Sequence, residues 1–191
     1  MSLPFNELLY LYLLGLWIYQ LLVPQERFYL IIRKAVWVGI GLLIALLGYS
    51  GYLLYLTRSL DPLGRFLLPP HITWWDFLSY WFIQFAVEYA VAFAIAGLGF
   101  WKMHWLNKRF QERFFYPSEF WLLLLSVLYA GHPGWLVFGI FMLIALLVLV
   151  ILKNQRVSFY YLWLPASALT LITIQILISK IPWVKDLVFH T

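Results

Sequence analysis

The sequence predicts an all-α fold: a polytopic transmembrane helical bundle of about six spans, forming a single integral membrane domain over 1–191. Three observations lead there. Of the 191 residues, 64% are apolar and only 11% charged, whereas a soluble chain runs about 45–50% apolar and 25% charged. So few charges cannot coat a water-facing surface of this size, and the mean hydropathy of +0.86 agrees. Apolar runs recur along the chain, and roughly 20 residues of helix cross about 30 Å of hydrocarbon. The aromatics, 16 Phe, 13 Tyr and 11 Trp, gather at run ends. Trp74, Trp75, Trp81, Trp101, Trp105, Trp121, Trp135 and Trp183 stand where an interfacial belt requires them. This composition excludes soluble enzymes, nucleic-acid binders and disordered linkers.

The first span is predicted over 5–23 and ends at Pro24, which has no amide to continue a helix. No Lys or Arg precedes Arg27 and no small-residue cleavage site follows, so the segment reads as a retained helix rather than a secretory leader. The second span is predicted over 35–56, with Gly39, Gly41, Gly48 and Gly51 admitting close backbone approach. Pro62, Gly64, Pro69 and Pro70 make the stretch to Thr73 a loop or a shallow re-entrant segment. The third span covers 74–101, long enough to demand tilt and too short for two crossings. Ala86, Ala90 and Ala94 recur every four residues in it, which predicts the central helix of the bundle.

Residues 102–118 carry Lys102, Lys108, Arg109 and Arg113, with Met103, Leu106, Phe110 and Phe114 at helical spacing. They read as an amphipathic connector on the membrane surface. Spans at 117–131 and 135–152 form a tight hairpin about Gly131-His132-Pro133-Gly134, a single broken helix being the alternative. The last span covers 159–179, kinked at Pro165.

Alternating sides then divide the 13 Lys and Arg nine to four. The nine (Arg27, Arg33, Lys34, Lys102, Lys108, Arg109, Arg113, Lys153, Arg156) face Arg58, Arg65, Lys180 and Lys185 across the bilayer. The positive-inside rule puts the loops 24–34, 102–116 and 153–156 in the cytoplasm and both termini outside. The lack of a cleavable leader suits a prokaryotic inner membrane, and the net charge of +5 meets anionic lipid rather than nucleic acid.

Glu88 is the most informative polar residue. It lies near the middle of the third span, where a carboxylate costs at least about 2.5–3.5 kcal/mol. Tyr80 and Gln84 precede it at spacings of four and share one broad helix face with it. No Lys or Arg lies at comparable depth, so Glu88 is expected to hydrogen-bond a neighbouring helix or to pair with a ligand or another subunit. Tyr80, Gln84 and Glu88 are the candidate ligand- or ion-coupling residues, with Thr170, Thr173 and Gln175 of the last span beside them.

Two further carboxylates invite a family comparison. Leu60-Asp61 followed by Pro69-Pro70-His71-Ile72-Thr73 resembles the first aspartate region of type IV prepilin peptidases. Tyr116-Pro117-Ser118-Glu119 takes the place of their second, GxGD, motif, with both glycines absent and glutamate for aspartate. Arg156-Val157-Ser158-Phe159, with Leu162, is similar to their late IPFGPFL stretch. The resemblance implies a membrane aspartyl peptidase using Asp61 and Glu119 as acid and base. The predicted topology instead sets the two on opposite sides, where Asp61 caps a loop turn and Glu119 complements a helix N-terminus.

Zero cysteines exclude disulfides, iron–sulfur ligation and c-type haem attachment. His71, His104, His132 and His190 never pair at metal-ligand spacing, so no metal site is expected. The deep aromatics Tyr10, Tyr12, Trp17 and Tyr19 suit helix packing, or contact with a bound lipid or hydrophobic pigment. Three functions follow in order of preference. The first is a non-catalytic subunit or scaffold packed among other integral membrane subunits and lipid. The second is a small carrier or binding module centred on Glu88. The third is the peptidase.

Overall fold

Proline divides the first two helices. Pro24 cannot extend α1 (Phe5–Leu22), but its carbonyl accepts from the Phe28 amide at 3.0 Å and opens α2 (Gln25–Leu60). The computed structural model describes residues 5–110, 115–153 and 159–180. The stretch 24–34, expected as a loop, is thus almost wholly the first turns of α2. Gln25, Glu26 and Arg27 are good helix formers, and Glu26 lies where the helix dipole favours an acid.

At the far end of α2 the chain turns through a 3₁₀ segment, Gly64–Leu67, and enters α3 (Trp74–Arg109). Thr73 caps that helix: its hydroxyl accepts from the Asp76 amide at 3.1 Å, and the Asp76 carboxylate accepts from the Thr73 amide at 3.3 Å. A π-helical turn, Phe82–Ala86, interrupts α3 before the regular helix resumes at Val87. The separate surface connector expected from 102 is corrected, because α3 runs on through Arg109. Met103 and Asn107 are buried there, so this stretch packs on the bundle with one face.

Three shorter helices follow: α4 (Pro117–Ala130), α5 (Gly134–Lys153) and α6 (Trp163–Lys180). Pro117 occupies the first turn of α4, where a missing amide costs nothing. The predicted kink at Pro165 is also corrected. α6 starts at Trp163, so Pro165 falls in its first turn, among the amides that lack an intrahelical partner. A Cβ on Gly134 would meet Thr170 and Ile174, while the Phe138 ring lies tilted against Trp163, 6.0 Å between centroids. α5 therefore runs antiparallel to α6. α4 and α5 form the hairpin across the turn at Gly131–Gly134, so α4 runs with α6, which it meets where Ser126 bonds Trp163 and Ser167.

The bundle centres on α4 rather than on α3. α4 packs against α2, α3, α5 and α6, and Ser118, Glu119, Phe120, Leu122 and the run Leu125–Ala130 are buried. A helix apolar all round is covered all round. On α3 the alanines at 90 and 94 are exposed. The face that packs is the stripe Glu88, Ala92, Ala96, Met103 and Asn107. Buried side chains from all six described helices join one core, from Leu9 and Leu13 of α1 to Leu164 and Leu171 of α6.

α4 is only 14 residues long, roughly 21 Å at 1.5 Å per residue. Its end at Gly131 lies against Tyr89, near the middle of α3, and Tyr129 reaches Gly39, well short of the far end of α2. The turn between α4 and α5 therefore sits at mid-height, where Gly131, Pro133 and Gly134 are buried. Among the described residues α2 and α3 are long and apolar enough to cross a membrane, and the other four are shorter apolar helices.

Candidate functional site

The mid-height turn collects the buried polar groups. Down the α3–α4 seam, Phe100 contacts Phe120 and Trp121 at 5.7 Å between centroids, and Gly99 gives Leu123 room. The same seam brings Glu88 and Tyr89 to the level where α4 ends. Glu88 is 7% exposed. The Tyr129 hydroxyl donates to the Gly39 carbonyl at 3.0 Å and the Tyr12 hydroxyl donates to the Ala35 carbonyl. The Tyr12 and Tyr129 rings lie 5.8 Å apart. Two phenols from α1 and α4 thus clasp the α2 backbone.

Glycine shapes the turn itself. Gly131 has φ 64° and ψ −174°, a region essentially closed to residues with a Cβ. Its carbonyl accepts from the Trp135 amide at 2.9 Å, which starts α5. His132 accepts at Nδ1 from the Trp135 indole at 3.1 Å. The Thr170 methyl group faces the Gly134 Cα from the α6 side, 3.5 Å from where a Cβ there would stand, and its hydroxyl donates to the Ala166 carbonyl at 2.8 Å. Thr173 is half-buried and Gln175 exposed on the same helix.

The π turn separates the environments of Tyr80 and Glu88. Tyr80 is exposed, and its hydroxyl accepts from Arg58 Nη2 of α2 at 3.2 Å, with the guanidinium 5.8 Å from the ring centroid. Gln84 lies within the π turn, and its Oε1 is buried without a hydrogen-bond partner. Gln84 and Glu88 therefore place oxygen acceptors inside the fold one turn apart, while Tyr80 serves the α2–α3 exterior.

Asp61 and Glu119 are not brought together. Asp61 accepts from the Leu63 and Gly64 amides at 3.3 and 3.0 Å, closing the turn that leaves α2. Glu119 is 1% exposed and accepts from the Tyr116 amide at 2.8 Å. The Arg33 guanidinium stands over Trp121, two residues past Glu119. Arg33 is 28 residues before Asp61 on the chain, roughly 42 Å of helix. Each carboxylate terminates local backbone, and a shared acid–base dyad is geometrically closed to them.

Sequence reasoning missed three polar links. Asn107 holds both backbone groups of Phe115, donating to the carbonyl at 2.8 Å and accepting from the amide at 3.0 Å. Ser126 and Ser167 exchange bonds with backbone carbonyls across α4 and α6, at 3.2 and 3.0 Å. Gln20 Nε2 donates to the Tyr160 carbonyl at 2.6 Å and ties α1 to the approach to α6. A lone Asn, Ser or Gln in an apolar run carries the only signal these offer. Among the described residues no group of three or more His, Asp or Glu could hold a metal ion. The absence of cysteine makes disulfides and iron–sulfur ligation impossible. Arg113, Arg156, Trp183, Lys185 and His190 lie outside the described residues.

These features define an all-helical protein with two helices of membrane-crossing length and apolarity. No protein-family model, no curated protein and no solved structure matches the chain.

Proposed function

We propose that this chain is a six-helix integral membrane protein of a prokaryotic inner membrane, and a non-catalytic subunit that packs beside other integral subunits. One observation carries the reading. Gly41, Ala45 and Gly48 of α2 are all exposed, and nothing lies within 4 Å of a Cβ built on either glycine. α3 repeats the arrangement with exposed Ala90 and Ala94 and with Gly97, which also has open space at its Cβ position. Small residues at helical spacing let another helix approach closely in lipid. Apolar neighbours such as Val38, Ile44 and Leu98, each more than 60% exposed, suit the same surroundings. The basic helix ends that carry Arg27, Arg33, Lys34, Lys102, Lys108 and Arg109 face the cytoplasm by the positive-inside rule.

The test is mild detergent extraction followed by native mass measurement, with Gly41→Leu and Gly48→Leu as variants. The expected result is a wild-type assembly heavier than one chain that the double variant loses while each chain stays folded. A wild type that always extracts as a lone chain overturns the subunit reading, and extraction by alkaline carbonate overturns the membrane reading.

A second reading, a small ion- or ligand-coupled module, is favoured by the buried Gln84 acceptor one turn from Glu88, beside a π turn of the kind often found at functional sites. Two oxygen acceptors this close suit a cation or a hydrogen-bond donor. Glu88→Gln would abolish such coupling in reconstituted vesicles, whereas a scaffold would keep its assembly.

A further inference from the structure

The end of the bundle where α2 begins, α3 ends and α4 begins is strongly basic. Arg27, Arg33, Lys34, Lys102, Lys108 and Arg109 are exposed there. Its two described acids are Glu26, which is exposed, and Glu119, which is buried against the Tyr116 amide. At the opposite end Arg58 and Arg65 share the surface with Asp61 and Asp76, so these four described charges balance one another.

Within the basic end one cluster is built rather than scattered. The Lys102 ammonium lies 5.4 Å from the Trp105 ring centroid and 5.7 Å from that of Trp101. The Arg109 guanidinium lies 5.2 Å from the same Trp105 ring. Two cations thus share one indole and stand no more than about 11 Å apart. Among the described residues no carboxylate pairs with either, or with Lys108. Trp101 and Trp105 are 59% and 43% exposed, and the residues 101, 102, 105 and 109 fall on one side of α3 because they recur at three, four and seven positions.

We infer that Lys102, Arg109, Trp101 and Trp105 form a binding site for the headgroup of an anionic phospholipid. The chemistry is complementary. A phosphodiester spreads one negative charge over two oxygens, which an ammonium and a guanidinium about two helical turns apart can both reach, and the guanidinium can bond them in a forked pair. The indoles belong at the glycerol level just beneath, with their rings in the apolar region and their N–H groups in the polar one. The indoles also pre-position both cations, so an arriving phosphate meets donors already held near one another. This inference rests on the membrane reading, and it goes further by fixing one lipid class to one face of one helix.

The experiment is native mass measurement of the full chain in detergent, titrated with dioleoyl-phosphatidylglycerol or with dioleoyl-phosphatidylcholine. The wild type is expected to retain phosphatidylglycerol preferentially. The Lys102→Gln/Arg109→Gln double variant should weaken that retention about tenfold or more, as two cations near an anionic surface would. The control pair Arg58→Gln/Arg65→Gln, where Asp61 and Asp76 balance the charge, should leave it unchanged. Equal weakening by both pairs, or none by the first, overturns the site. Full displacement of the lipid by millimolar inorganic phosphate also overturns it, since the site would then read a free anion. Trp105→Phe keeps a ring for the cations and should soften the preference without unfolding the chain, which circular dichroism checks. A chain that never partitions into vesicles fails the membrane reading itself, whereas one that partitions without headgroup preference fails only this inference.

Discussion

The Tyr129 hydroxyl donates to the Gly39 carbonyl at 3.0 Å and stands 2.8 Å from the point a Cβ on Gly39 would occupy. Leu125 Cδ1 and Tyr12 Cε1 crowd the same point at 3.0 and 3.2 Å. Gly39→Ala is therefore expected to cost about 1–3 kcal/mol, as overpacking of a filled core does. Thermal unfolding in detergent reads the loss. Tyr129→Phe removes both the hydroxyl and the closest clash, so the double variant should lose less than the two singles together.

Gly131 sets a second expectation. Its backbone at φ 64° and ψ −174° makes Gly131→Ala cost about 1–3 kcal/mol through strain alone. The added methyl meets only Tyr89, at an ordinary 3.8 Å, so a Gly131→Ala variant as stable as wild type would contradict the turn geometry directly.

Asn107 latches the end of α3 to the approach to α4 through both backbone groups of Phe115. Removing the amide in Asn107→Ala leaves that carbonyl and N–H to find other partners, at about 1–3 kcal/mol. Asn107→Asp keeps the acceptor for the Phe115 amide but turns an oxygen toward the Phe115 carbonyl in place of the donor, so it should recover little of the loss. A melting temperature indifferent to both changes would show the latch to be idle.

Glu88 separates shape from polarity. Glu88→Gln preserves hydrogen-bonding groups at nearly the same volume and is expected to leave stability close to wild type. Glu88→Leu strips its interior partners and should cost about 1–3 kcal/mol. Indistinguishable melting curves for the two variants would remove Glu88 from the structural hydrogen-bonding groups.

Much of the helix layout was legible from apolar run lengths and from proline. Pro24, Thr73 and the Gly131–Gly134 sequence mark boundaries that the backbone respects. The ends were less legible where charge and helix propensity disagree. Arg27, Arg33, Lys102 and Arg109 suggest loops by polarity, yet they sit on exposed helix surfaces, where a long stem keeps the charge in water. The choice of central helix failed for a tertiary reason. Alanine spacing along α3 is equally regular on two faces, and the face that is buried, with Ala92 and Ala96, is continuous with Gly99 and Phe100, which meet Leu123 and Phe120 of α4. The π turn has no composition signature in Phe82–Ala86, so the separation of Tyr80 from Glu88 could not be read from their even spacing.

The early stop of α4 divides the molecule into two tiers. Where α4 fills the space between α2 and α3, side chains on all three are covered from within. Past that point, Ser50 is the one buried residue of α2 beyond Leu43, and Phe77 the one in the first eight residues of α3. There the two arms meet through an aromatic seam: the Trp81 indole donates to the Leu47 carbonyl at 3.2 Å, and the Tyr55 ring stacks parallel to Trp74. The outer tier is a slender fork whose flanks must be clothed by whatever surrounds the protein, and fourteen residues of one short helix determine where that dependence begins.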